Sequence, residues 1–167
     1  MNNLFLIGFM GCGKSTVASA LCRRYHLKQF EMDSEIVRQA GMPISQIFSR
    51  YGEEYFRTLE TDLLRRLSGT GDLVVSCGGG AAMKEENVRL MRNSGRIILL
   101  TARPETILAR TAHDHNRPLL EGRRTVADIT ELMEQRRPRY EAAADITVST
   151  DGKCPDEIAD EIIARCQ

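Results

Sequence analysis

The chain has 167 residues, 42% of them hydrophobic. That is enough for one domain that buries about 70% of its unfolded surface without a metal or disulfide staple. Its 23 basic and 23 acidic residues cancel, which argues against a partner held mainly by bulk charge, such as nucleic acid or an anionic membrane.

No apolar run approaches the roughly 18 residues of a membrane span. The five cysteines (Cys12, Cys22, Cys77, Cys154, Cys166) form no C-x-x-C pair and no zinc spacing. With no signal peptide in view, the expected setting is a reducing cytoplasm. Only Lys14, Lys28, Lys84 and Lys153 are lysines; the other cations are arginines, whose planar forks suit phosphates and carboxylates.

Short apolar runs alternate with longer amphipathic ones, without repeat, low-complexity segment or linker. Strands are predicted at 4–7 (LFLI), 28–31 (KQFE, the weakest), 73–77 (LVVSC), 96–100 (RIILL) and 145–149 (DITVS). Helices are predicted near 15–25, 33–40, 53–68, 85–93, 104–113, 125–142 and 155–165. In the third of these, Phe56, Leu59, Leu63, Leu64 and Leu67 recur at helical spacing. Such alternation implies a parallel sheet covered on both faces. Ligands then gather at the carboxyl ends of the strands.

Residues 8–15, GFMGCGKS, match G-x-x-x-x-G-K-[ST] between a strand and a helix. Glycines let the backbone wrap so that N–H groups face phosphate oxygens, and the helix N-terminus adds partial positive charge. Gly11, Cys12, Gly13, Lys14, Ser15 and Thr16 are therefore the candidate nucleotide contacts. Lys14 is expected at the β- and γ-phosphates and Ser15 on Mg²⁺. Cys12 has two readings: a small residue that fits, or a thiol made redox-sensitive by the helix terminus.

The guanine motif N-K-x-D is absent, and a short chain rich in arginine loops suits a small kinase with a lid. Four features bear on the acceptor. Glu31 and Asp33 in FEMDSEI share a face if extended, so one can serve a metal and the other an acceptor hydroxyl. An acidic helix start with Asp33 as N-cap also fits. Arg57 and Glu60 are i and i+3, either an ordinary helix-surface pair or an arginine held to grip a ligand carboxylate. Gly78, Gly79 and Gly80 let a ligand approach the backbone closely. Arg117 lies in a polar stretch placed for a lid, with His113 and His115 beside it as solvent-facing residues. Arg136, Arg137 and Arg139 cluster near a helix end, where cations also suit the helix dipole.

In this order and spacing, GFMGCGKST, EMD, FSRYGEEYFRTLE, CGGG, NRPLL and RRPRY resemble the shikimate kinase family along nearly the whole chain. The resemblance implies a three-layer α/β/α fold with a five-stranded parallel sheet, order 2-3-1-4-5, of the nucleoside-monophosphate-kinase-like P-loop type. It implies one kinase domain over 1–167, with a mobile lid about 112–124 and an acceptor-binding region about 33–61. It implies transfer of the γ-phosphate of ATP to the 3-hydroxyl of shikimate, with Mg²⁺, by a monomer.

The family's roles map onto Asp33 for the ring hydroxyls, Arg57 and Arg136 for the carboxylate, and the Gly78–Gly80 loop for a substrate-facing N–H. They map onto Arg117 for the ATP phosphates, and onto Arg110, Lys153 and Pro155 for the adenine side. Lys14, Asp33 and Arg117 are the expected catalytic residues. Where the family reads Asp-x-Asp, this chain has Glu31, one methylene longer. A role on Mg²⁺ through water tolerates that change better than direct ligation.

Overall fold

The computed structural model describes residues 2–112 and 125–167. Five strands, β1 (Asn3–Ile7), β2 (Lys28–Glu31), β3 (Leu73–Ser76), β4 (Gly95–Thr101) and β5 (Ile146–Ser149), form one sheet. All are parallel, in the order β2-β3-β1-β4-β5. The order matches the expectation, and so do the strand positions to within one residue. β1 is central, with Phe5 level with Val75 on one side and Ile97 on the other. Leu4, Phe5, Leu6, Ile7, Val74, Val75, Ile97 and Ile98 are buried. A continuous apolar run is what a strand needs when helices cover both its faces.

The helices are α1 (Lys14–Tyr25), α2 (Met32–Ala40), α3 (Ile44–Tyr51), α4 (Glu53–Leu67), α5 (Glu85–Ser94), α6 (Pro104–Thr111), α7 (Val126–Ala143) and α8 (Pro155–Cys166), with a 3₁₀ turn at Ala81–Met83. α1 packs beside α8, and α3 beside α4. α3 is absent from the sequence reading. Its signal is present nonetheless: Ile44, Ile47, Phe48 and Tyr51 repeat at i, i+3, i+4 and i+7, Ile47 is fully buried, and the Phe48 ring lies 5.2 Å from Phe56.

Two further expectations change. α2 begins at Met32 with Glu31 at its cap, so Asp33 is neither on an extended segment nor an N-cap; it stands in the first helical turn. α7 spans Val126–Ala143, close to the expected bounds, but its last turn holds no basic residue, so the dipole reading of Arg136, Arg137 and Arg139 falls. The lid expected at 112–124, with Arg117, His113 and His115, lies outside the described residues apart from Ala112. Among the described residues, no helix is long and apolar enough to cross a membrane.

The amino end of the sheet is tied by a fully buried Asn3. Its Nδ2 donates to the Thr70 carbonyl at 3.1 Å, and its Oδ1 accepts from Leu73 N–H at 3.1 Å. One amide thus closes the turn between α4 and β3 onto β1. Replacing it strands a buried N–H, which costs about 1–3 kcal/mol beyond the lost contacts. Asn3→Ala is expected to lower unfolding stability by about 2–3 kcal/mol in urea titrations. Turnover should be unchanged, because Asn3 sits at the end of β1 opposite the site described next.

Candidate active site

The loops that leave β1, β2 and β3 meet at the carboxyl edge of the sheet, the place where parallel sheets hold ligands. They enclose a cavity of about 530 Å³ whose lining includes Lys14, Ser15, Glu31, Asp33, Gly79 and Arg110. Residues up to 99 positions apart in sequence therefore face one volume, as the arginine of α6 shows: Arg110 Nη1 donates to the Gly11 carbonyl at 3.1 Å.

The phosphate loop runs from Gly8 into α1. Gly13 caps the helix in a left-handed conformation, φ 101°, where a side chain would be strained. Lys14 Nζ donates to the carbonyls of Gly8 at 2.8 Å and Phe9 at 3.1 Å, so the ammonium lies across the loop it belongs to. Thr16 lines the same cavity. The Cys12 N–H donates to the Phe9 carbonyl and its side chain is buried, which matches the packing reading of this residue rather than an accessible thiol.

Ser15 Oγ donates to Glu31 Oε2 at 3.0 Å, so the two residues expected at the metal do meet. The donors here are hydroxyl and carboxylate oxygens, the hard ligands that Mg²⁺ takes. Beside this site a smaller pocket of about 220 Å³ is lined by Gly13, Thr16, Arg110, Lys153 and Pro155. Arg110 and Lys153 thus share the wall of one pocket, with Lys153 Nζ held by Glu161 Oε2 at 2.9 Å.

At the acceptor end the three glycines explain themselves by what surrounds them. A methyl group on Gly78 would lie 2.5 Å from Glu60 Oε2 and 3.0 Å from Asp33 Oδ1. One on Gly79 would lie 3.1 Å from Arg136 Nη1, and one on Gly80 2.4 Å from Arg57 Nη1. None of the three is left-handed, so the need is for space and not for an unusual backbone. Asp33, Arg57 and Arg136 therefore converge on one turn, as expected.

Each arginine is braced. Arg57 Nη1 donates to Glu60 Oε1 at 2.7 Å and Nη2 to Glu53 Oε1 at 3.1 Å. Arg136 lies over the Phe9 ring at 5.6 Å, and its Nη1 is 3.4 Å from the Tyr140 hydroxyl. By contrast Arg137 pairs with Glu134, and Arg139 is exposed.

One contributor is not legible along the chain. Tyr140 donates its hydroxyl to the Gly79 carbonyl. Burial pushes that hydroxyl up to about 12, with Arg136 pulling the other way, so it remains a donor at neutral pH. The RRPRY motif contains Tyr140, but sequence spacing does not say that it reaches residue 79. Glu60 is fully buried, which settles the choice left open for the Arg57–Glu60 pair: it is a buried brace and not a surface pair. Burial pushes the Glu60 carboxyl up to about 6, opposed by Arg57 and reinforced by Asp33. Burial also raises the Cys77 thiol well above its ordinary value, so this cavity-lining cysteine stays protonated.

The family model for shikimate kinase matches residues 10–167. The chain is 43% identical over 165 residues to the shikimate kinase of Persephonella marina, covering 99% of each. Among solved structures it is similar to shikimate kinase from Acinetobacter baumannii in complex with shikimate, with a TM-score of 0.94 and 33% identity, covering 99% of this chain and 93% of that one. It is also similar to shikimate kinase from Aquifex aeolicus, with a TM-score of 0.84 and 38% identity over 98% of this chain and 95% of that one.

The raised Glu60 value has a signed consequence. A carboxyl that is easier to protonate folded than unfolded favours the folded state fully below its ordinary value of 4.5, and that gain is lost as pH rises through about 6. The stability of the protein minus that of Glu60→Gln should therefore increase by about 1–2 kcal/mol between neutral pH and pH 4.5. Urea titrations of both proteins at the two pH values measure it.

Proposed function

This chain belongs to the shikimate kinase family, and from that premise we propose how its own residues carry the γ-phosphoryl group of ATP to the 3-hydroxyl of shikimate. It is an ATP:shikimate 3-phosphotransferase, serving chorismate and aromatic amino acid biosynthesis. The observation that carries the assignment of residues is the crowding around Gly78–Gly80, which sets Asp33, Arg57 and Arg136 about one turn at the end of the cavity that holds Lys14 and Ser15.

Phosphoryl transfer has a loose transition state, so the protein acts chiefly by positioning and charge. Arg57 and Arg136 take the acceptor's carboxylate, and Asp33 orients its ring hydroxyls. Fixing the acceptor at both ends supplies the alignment that otherwise costs entropy at the moment of reaction. Asp33 then accepts the proton of the attacking hydroxyl as that oxygen bonds to the γ-phosphorus and the bond to the β–γ bridging oxygen breaks, with ADP as the leaving group. The Gly79 N–H is the substrate-facing amide of the loop, whose backbone is anchored one peptide further on by the Tyr140 hydroxyl on the Gly79 carbonyl.

On the nucleotide side, Gly11, Gly13, Lys14, Ser15 and Thr16 cradle the phosphates. Lys14 exchanges the Gly8 and Phe9 carbonyls for the β- and γ-phosphate oxygens. Arg110 and Lys153 flank the adenine side, and Arg117, outside the described residues, is assigned to the phosphates. Mg²⁺ would be held by Ser15 and, through water, by Glu31; when bound it neutralises charge on the phosphate oxygens. The cytoplasm supplies both ATP and the reducing pool suited to five cysteines that are all free.

ADP release measured with shikimate, gluconate, nucleoside monophosphates or no acceptor tests the acceptor assignment: only shikimate should support turnover, and equal rates with gluconate would overturn it. Lys14→Ala should lower kcat at least about a hundredfold, the scale of losing one transition-state charge contact. Near-normal kcat would remove Lys14 from the mechanism. Arg136→Ala should raise the KM for shikimate about ten- to a hundredfold, the scale of a lost charge-assisted pair, and leave the KM for ATP nearly unchanged. Equal effects on both would count against a carboxylate clamp.

A further inference from the structure

Glu31 is fixed from two directions. Its Oε2 accepts from Ser15 Oγ at 3.0 Å, and its Oε1 accepts from Gln29 Nε2 at 2.6 Å. Gln29 is itself held at both ends of its amide. Its Nε2 also donates to the Ser15 carbonyl at 3.3 Å, while its Oε1 accepts from Ser19 Oγ at 2.9 Å. Turning the amide over would aim its oxygen at a carboxylate and a carbonyl, so the surroundings permit only one orientation. Ser19 on α1 thereby points the Gln29 NH₂ on β2 toward the Ser15–Glu31 pair.

We propose that Gln29 is a positioning residue for the metal site, holding the long Glu31 side chain so that its carboxylate stays over the Ser15 hydroxyl. Glu31 ends β2 on a partly exposed stem, where an unrestrained glutamate samples several rotamers. The second hydrogen bond removes that freedom and leaves the carboxylate facing the place assigned to Mg²⁺. Partners that orient a metal's carboxylate in this way typically govern its affinity. Gln29 touches neither nucleotide nor acceptor in this arrangement, so its effect should be confined to the metal. The inference rests on the placement of Mg²⁺ at Ser15 and Glu31.

The test is binding of Mn²⁺, a paramagnetic stand-in for Mg²⁺, to the full chain saturated with ADP, read as loss of the free Mn²⁺ EPR signal. Gln29→Leu should weaken Mn²⁺ about tenfold, the low end for loss of an outer partner. Metal-free ADP affinity and Tm should stay at the parental values. In a Glu31→Asp background the shorter arm no longer spans both partners, so Gln29→Leu should then change Mn²⁺ affinity by less than about twofold, the sign of a coupled pair.

Parental Mn²⁺ affinity in Gln29→Leu would overturn the proposal, and so would an equal loss in both backgrounds. If Ser15→Ala keeps parental Mn²⁺ affinity, the metal placement falls and this inference with it. If Ser15→Ala loses Mn²⁺ and Gln29→Leu does not, only the role of Gln29 is refuted. Because no acceptor is present, the shikimate assignment plays no part in the outcome.

Discussion

No side chain can stand at residues 78–80 without displacing a charged group of the site. That constraint organises the acceptor end of the molecule. Glu60 with Asp33, Arg136 and Arg57 crowd three consecutive glycines from helices α2, α4 and α7. Four charged groups brought this close must be paired or braced, since an isolated buried charge is costly. The braces are visible: Glu60 and Glu53 on Arg57, and Phe9 and Tyr140 on Arg136. Glu60 carries the residual cost, because burial raises its carboxyl even with Arg57 beside it.

The same contacts join the two halves of the site. Phe9 belongs to the phosphate loop, yet its ring lies under Arg136 of α7. Tyr140, one turn further along α7, bonds the carbonyl of the middle glycine. Arg110 of α6 bonds the phosphate loop at Gly11. Glu31, Ser15, Gln29 and Ser19 form a separate polar network on the α1–β2 side, built on different elements from the arginines at the glycine turn.

Much of the fold is legible along the chain. β1, β3 and β4 announce themselves because apolar runs buried on both faces have little competing interpretation. α3 shows where that reading stops. Its eight residues carry helical periodicity, but a short amphipathic segment between Pro43 and Gly52 reads as easily as loop until packing against α4 is known. The start of α2 is a second example: FEMDSEI fits Asp33 either on an extended segment or as an N-cap, whereas β2 ends at Glu31, where its pairing with β3 ends at Ser76, and the helix begins at Met32.

For the site, sequence alone determines the phosphate cradle, since its function follows from local backbone geometry within eight residues. It also nominates Asp33, Arg57, Arg136 and the three glycines, chiefly through resemblance to a family. What it leaves open is decided only by the tertiary structure: whether Arg57–Glu60 is a surface pair or a buried brace, what crowds the three glycines, which of three neighbouring arginines reaches the glycine turn, and what Tyr140 and Gln29 touch. The physical reason is common to all of these. Burial, close approach and hydrogen-bond partnership are relations between residues far apart in the chain, Tyr140 and Gly79 being 61 positions apart, and no local pattern encodes a distance that only the packed sheet and its helices create.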